Sequence, residues 1–264
     1  MLAVVLLFVT APNVYLAPAS LLEQGPHHGR HYELLASDAP GYNSSVLKGI
    51  DRVQETAPDG GGYFVGVHAV PAESPVGYGI DLLGQPLLEP PRKTSYCSGS
   101  TYAAFIEALN DICNSKGINP SPERFEAMRM QEPDGSRRED RIKAWGWWNA
   151  DGFGSDFALV QYLRMGKRVK PEDARPGDFM NISWKNGLGH SVVFLGWVKD
   201  ESRGPGVLYW ASQKGTNGFG DQFSLLSKIK DLCVVRLTNP KGLSTFNPSA
   251  KVDASVKGDQ PPSL

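Results

Sequence analysis

Between Ser98 and Cys113 the apolar side chains fall at Tyr102, Phe105, Ile106, Leu109, Ile112 and Cys113, a three-and-four spacing that predicts a helix. Ser95, Ser98 and Ser100 offer capping hydroxyls at its start, and Gly117 ends it. Pro122 to about Met130 predicts a second helix, with Phe125 and Met128 facing one way, and Ser155–Leu163 a short third. Then the period changes. Phe179–Trp184, His190–Trp197, Val207–Ser212 and Cys233–Leu237 are short β-branched or aromatic runs between glycine and proline turns, which predicts strands. Tyr63–Val70, bounded by glycine and Pro71, predicts one more. Helices first and antiparallel strands after them make the chain α+β.

The flanks differ from this middle. Leu2–Val9 is apolar, and Ala17-Pro18-Ala19 supplies small residues for cleavage before Ser20, so residues 1–19 are expected to be a signal peptide and the protein secreted or periplasmic. The run is too short and too broken by Pro12 and Pro18 to span a membrane. Residues 20–61 are expected to be a linker or a loosely packed segment. Its His27, His28 and His31 read as a solvated group, with no acidic or cysteine partner nearby to suggest a metal. Residues 62–239 form the expected domain, with Trp145, Trp147 and Trp148 as core, and residues 240–264 an expected disordered tail rich in Ser, Lys, Asp, Gly and Pro.

Composition narrows the function. The chain has 264 residues, 41% hydrophobic and 21% charged, enough to bury a core without metals. A net charge of −1 provides no basic field for nucleic acid or anionic lipid. Three cysteines without a CxxC pair exclude a structural zinc site. In an oxidising compartment the pair to expect is Cys113 with Cys233, because Cys97 has a better use, while two buried free thiols fit the sequence equally well.

Cys97 stands at the start of the first helix, where unpaired N–H groups and the helix dipole favour a thiolate, and Arg92 and Lys93 add positive potential. His190 opens an apolar strand between glycines, a rim position from which an imidazole can serve as general base. Ser98-Gly99-Ser100, all small, would let a substrate approach. Tyr96-Cys97-Ser98-Gly99 resembles the Asp-Cys-Ser-Gly box of the NlpC family of papain-like cysteine peptidases. Ala174–Phe179 resembles that family's Pro-Gly-Asp turn, and Gly189–Gly196 its histidine strand, with Tyr209–Ser212 as the next strand.

The resemblance covers roughly residues 80 to 237. It implies a papain-like fold, a helix carrying Cys97 packed on an antiparallel sheet carrying His190, and an exported hydrolase that cuts amide bonds in cell-wall peptides. No cofactor is implied, and the partner is a peptide or peptidoglycan substrate. Three departures stand out. Tyr96 replaces the family's aspartate, the stretch between Cys97 and Pro176 is long, and the third catalytic position, usually histidine, falls on Trp210.

An indole cannot accept a hydrogen bond from the base. A hairpin of the two strands brings Gln213 opposite His190, where its carbonyl would accept the Nδ1–H and leave Nε2 for the thiol. Asn181, Ser212 and Asn217 are alternatives. For the oxyanion, the Cys97 N–H is one donor, and the resemblance places the other at Gln85, with Tyr78 competing. A non-catalytic binding module and an acyltransferase on the same scaffold are the rival readings.

Overall fold

The structure, a computed structural model, describes residues 14–130, 144–150 and 153–264, apart from the Trp147 side chain. Its centre is a six-stranded antiparallel sheet in the order β3-β8-β4-β5-β6-β7. The strands are β3 (Gly166–Val169), β4 (Phe179–Trp184), β5 (Gly189–Val198), β6 (Gly206–Gln213), β7 (Gly218–Leu225) and β8 (Ile229–Leu237). A separate hairpin pairs β1 (Ile80–Leu82) with β2 (Gln85–Leu88). Among the described residues six α-helices accompany them: α1 (Ala19–Leu22), α2 (His31–Leu35), α3 (Asn43–Thr56), α4 (Cys97–Lys116), α5 (Pro122–Ala127) and α6 (Gly242–Thr245). The chain is α+β. Among the described residues no helix is long and apolar enough to cross a membrane.

The period of two splits the strands between two cores. Phe179, Val193, Leu195 and Trp210 face α3 and α4, with Tyr102, Phe105, Ile106 and Leu109 of α4 filling that layer. Met180, Ile182, Val192, Phe194, Val207 and Tyr209 build a second core on the opposite face. A register shift between Phe194 and Gly196 turns Trp197 onto that second face, where its indole N–H donates to the Pro171 carbonyl at 3.1 Å. Helix α4 is buried on nearly every side, which fits its mostly apolar composition, and Gly117 at φ 63° closes it.

The Pro-Gly-Asp turn has a structural use. Asp178, fully buried, accepts from the Arg175 N–H at 2.8 Å, from Asn43 at 2.7 Å and from two Arg236 nitrogens at 2.8 and 2.7 Å. It thereby fastens the entry of β4 to α3 and β8.

Several expectations need correction. Residues 20–61 are no linker: Val46, Leu47, Ile50 and Val53 of α3 are fully buried against α4. Nor are residues 240–264 loose. Leu243 and Phe246 are buried, and Asp259 bridges to Leu232. Tyr63–Val70 is not a strand. It forms one isolated β-bridge, Tyr63–Ser95, and Gly66–His68 coils into a 3-10 turn with Val65, Val67 and Val70 exposed. Ser155–Leu163 winds as a π-helix over Asp156–Tyr162. All three thiols are free and buried, so Cys113 and Cys233 do not pair. The apolar run Leu2–Val9 lies outside the described residues, while Ala17, at the expected processing site, donates its N–H to the Trp197 carbonyl at 2.8 Å.

Candidate active site

Strands β5 and β6 part at one end, and the tip of α4 fills the gap. Their pairing begins at Val193–Trp210, so the preceding N–H of Ser191 and the following N–H of Ser212 have no partner across the ladder. The first turn of α4 takes both. Ser100 Oγ accepts from the Ser212 N–H at 2.9 Å, and the Ser191 N–H points at the Cys97 sulfur. Thr101 Oγ1 and Ser191 Oγ, 2.9 Å apart, close the seam. Gly99 permits this depth, because a Cβ there would sit 2.1 Å from the Pro75 carbonyl oxygen. The small residue thus serves the loop at 74–75, not an approaching substrate.

His190 lies at the same strand end on the face opposite α4, flanked edge-on by Tyr209 with ring centroids 5.5 Å apart. Its Nε2 is 3.3 Å from Gln213 Oε1. The Gln213 Nε2 donates to the Gly220 carbonyl at 2.8 Å and to Thr216 Oγ1 at 2.9 Å. A carbonyl only accepts, so the amide nitrogen must face Gly220 and the amide oxygen must face the imidazole. His190 therefore carries its proton on Nε2 and keeps its lone pair on Nδ1. That reverses the tautomer expected from the sequence.

Trp210 takes no part. It points into the α3 layer and donates to Gln54 Oε1 at 3.0 Å. Of the three other side chains considered for that place, Asn181 accepts from the Ser155 N–H at 2.7 Å, Ser212 accepts from the Ser95 hydroxyl at 2.7 Å, and Asn217 is exposed in the left-handed turn before β7 at φ 49°.

Burial keeps both the Cys97 thiol and the His190 imidazole in their uncharged forms near neutral pH. Burial pushes the Cys97 thiol up to about 11, against the pull of the Ser191, Ser98 and Cys97 N–H groups and the Tyr96 hydroxyl. Burial also lowers His190 to about 4, only partly offset by Gln213. Cys97 is 1% exposed and packs with Tyr96, Ala150 and Tyr63. Beside it opens a cleft of about 630 Å3 lined by His190, Tyr209, Gln213, Trp184 and Tyr63 among others.

Tyr63 is the residue that sequence reasoning missed. It touches both the thiol cluster and the cleft, and the Cys97 thiol bears on its hydroxyl. The apolar company of Tyr63 reads as a strand, so its hydroxyl draws no attention. Gln85 is not brought to this site. It lies on β2 in another cavity, lined by Leu82, Asn119, Phe125 and Arg129, which shares no residue with the His190 cleft. Tyr78 is also elsewhere, its buried hydroxyl unpartnered near Glu107. Arg92 is spent on Glu73, with Nε 2.6 Å from the carboxylate.

The histidines of the N-terminal segment are not solvated. His31, fully buried, bridges Asp51 Oδ1 through Nδ1 at 2.6 Å and Asp221 Oδ1 through Nε2 at 2.9 Å. His28 Nε2 meets Asp221 Oδ2 at 3.0 Å. The acidic partners come from α3 and β7, distant in sequence. The donor atoms of His28, His31 and Asp221 all lie within 4.8 Å of one another. The two rings stack, 4.2 Å apart at 26°, and their Nε2 atoms each meet a different oxygen of the Asp221 carboxylate. The geometry is that of a hydrogen-bonded latch. Burial opposes charge on His31, but Asp221 and Asp51 outweigh it and raise the imidazole to about 9.

No protein-family model matches the chain, and neither a curated protein nor a solved structure shows a significant similarity to it.

Proposed function

We propose that this protein is a papain-like thiol hydrolase of the NlpC type, acting on amide bonds in peptides, with cell-wall peptides as the substrate class the sequence resemblance suggests and export as its setting. The observation that carries the reading is the seat of the Cys97 sulfur. It lies at a helix N-terminus with three backbone N–H groups directed at it, at the same strand end as an imidazole whose tautomer is fixed by Gln213. Helix-end N–H groups are what a developing thiolate requires.

In the reaction, His190 Nδ1 takes the thiol proton as substrate displaces the cover over the sulfur. The thiolate adds to the amide carbonyl, and the Cys97 N–H and the Tyr63 hydroxyl meet the oxyanion. His190 returns its proton to the leaving amine, and water releases the acyl-enzyme. Gln213 is a positioning residue that holds Nε2–H and so keeps Nδ1 basic.

The test is release of new amino groups from a peptidoglycan digest by wild type, Cys97→Ala and His190→Ala. Both variants should lose activity by at least about a hundredfold, the scale of general-base and nucleophile removal. Residual turnover equal to wild type in Cys97→Ala ends this reading.

A second reading, a non-catalytic binding module on the same fold, is favoured by one observation: the thiol is covered by Tyr63, Tyr96 and Ala150 and is uncharged at rest. It predicts no turnover and no effect of His190→Ala on Cys97 alkylation by iodoacetamide.

A further inference from the structure

The cleft beside His190 has an asymmetric charge. Lys185, Lys214 and Lys228 line it, and no aspartate or glutamate does. All three lysines are exposed, and among the described residues none forms an ion pair with a carboxylate. The chain as a whole is balanced at −1, so the excess belongs to the cleft and not to the composition. Elsewhere on the surface cations are commonly neutralised locally, as in Arg30 with Glu33, Arg203 with Asp200 and Arg168 with Asp259. Between the lysines the walls carry the Trp184 and Tyr209 rings and the polar groups of Gln222 and Ser224. Gln222 donates to the Tyr209 hydroxyl at 3.0 Å, and that hydroxyl lies 2.9 Å from Ser224 Oγ, which holds this wall in place.

Three unneutralised point charges around a half-apolar trough recognise an anion whose charges are spread along a chain. We propose that the cleft binds a peptide segment bearing several carboxylates, with Lys185, Lys214 and Lys228 reading the charges and Trp184 and Tyr209 supporting the backbone between them. This rests on the thiol-hydrolase reading, in which the same cleft presents the scissile amide to His190. A nucleic acid is the poorer occupant. Three lysines in one pocket of a chain at −1 do not form the extended basic track that a polyphosphate backbone needs.

The experiment uses the full chain carrying Cys97→Ala, so that binding is read without chemistry. A fluorescein-labelled pentapeptide with three glutamates is titrated by anisotropy beside its glutamine counterpart. The acidic peptide should bind at least about tenfold more tightly, and the difference should shrink as salt rises from about 20 to about 300 mM. Each of Lys185→Gln, Lys214→Gln and Lys228→Gln should weaken binding about two- to fivefold, and the triple variant about tenfold or more, the range for exposed ion pairs. All three side chains are exposed, so thermal melting of the variants should match the parent.

Equal binding of the two peptides, no binding of either, or an unchanged triple variant overturns the proposal. Tighter binding of a single-stranded oligonucleotide of equal charge does so as well. The two readings fail separately. Binding of the acidic peptide without its cleavage by wild type removes the hydrolase and keeps the site, whereas equal cleavage of neutral and acidic peptides removes the site and keeps the hydrolase.

Discussion

Replacing Gly99 by alanine sets helix propensity against packing, and the two predict opposite signs. Inside a helix, glycine to alanine ordinarily stabilises by about 1 kcal/mol. At Gly99 the new methyl would lie 2.1 Å from the Pro75 oxygen and 2.8 Å from both the Pro75 carbonyl carbon and the Ser74 oxygen, all main chain. Relief requires the helix tip and the 74–75 loop to separate by about 1 Å, given ordinary carbon–oxygen contact distances. That loop is tied to the same tip: the Tyr96 N–H donates to Pro75 at 2.9 Å, and Ser74 Oγ lies 2.5 Å from Ser98 Oγ. Overpacking costs about 1–3 kcal/mol, and each strained hydrogen bond about 1 kcal/mol more. After the propensity gain is subtracted, Gly99→Ala should destabilise the protein by about 2–4 kcal/mol. Urea unfolding followed by tryptophan fluorescence measures this directly. Iodoacetamide labelling of Cys97 should quicken in the same variant, because the displaced tip loosens the cover on the sulfur. A variant as stable as wild type, or more so, would refute the close seating of α4 on which the site depends.

Other outcomes follow from the same geometry. With the Cys97 thiol near 11 and His190 near 4, the thiolate fraction at pH 7 is only about 10⁻⁴, so labelling of the free protein should rise about tenfold per pH unit toward pH 11; a plateau near neutrality would show a preformed ion pair instead. Gln213→Leu takes the acceptor from His190 Nε2 and one donor from the Gly220 carbonyl, while Thr216 keeps its bond to the Gly218 carbonyl at 2.6 Å, and should cost about 1–3 kcal/mol in urea unfolding; in turnover it should lower kcat and leave KM nearly unchanged. Because His31 is raised from 6.5 to about 9, its contribution is complete below about pH 6.5 and is lost as pH climbs through 9. Stability should fall by on the order of 3 kcal/mol between neutral pH and pH 10, and by much less in Asp221→Asn. Trp210→Phe strips a donor from the buried Gln54 carbonyl and should destabilise by about 1–3 kcal/mol without altering Cys97 labelling, which would confirm that the indole serves the helix layer.

Much of the sheet was readable from sequence because its strands are contiguous and apolar. Phe179–Trp184 matches β4, and His190–Trp197 falls one residue short of β5 at each end. Strand β7 escaped notice because Gly218, Gly220 and Asp221 break its apolar alternation. Helix α3 carries a helical signal in Val46, Leu47, Ile50 and Val53, but the glycine, proline and histidine around it dilute that signal over any long window. At the site, Cys97, His190 and Gln213 follow from a helix start and a hairpin, both local features. Tyr63 and the Asp51–His31–Asp221 latch do not, since each depends on partners brought together only by the tertiary fold. Gln85 shows the opposite error. Counting back from the cysteine across a turn-rich stretch fixed a position in sequence but not in space.

The sulfur of Cys97 sits beside the end of the β5–β6 ladder, with the Ser191 N–H of β5 pointing at it, and this makes it a keystone of that strand end. Any atom added to it, whether an acyl carbon, an alkyl chain or an oxygen, has to displace the Tyr63, Tyr96 and Ala150 cover and disturbs the Ser191 N–H of β5 that points at the sulfur. Covalent modification at that single position should therefore register across the hairpin as a mechanical load, felt as far as β7 and the histidine latch it carries. A thiol reagent on this protein would act as a wedge, and resistance of the sheet to unfolding would report the chemical state of one sulfur.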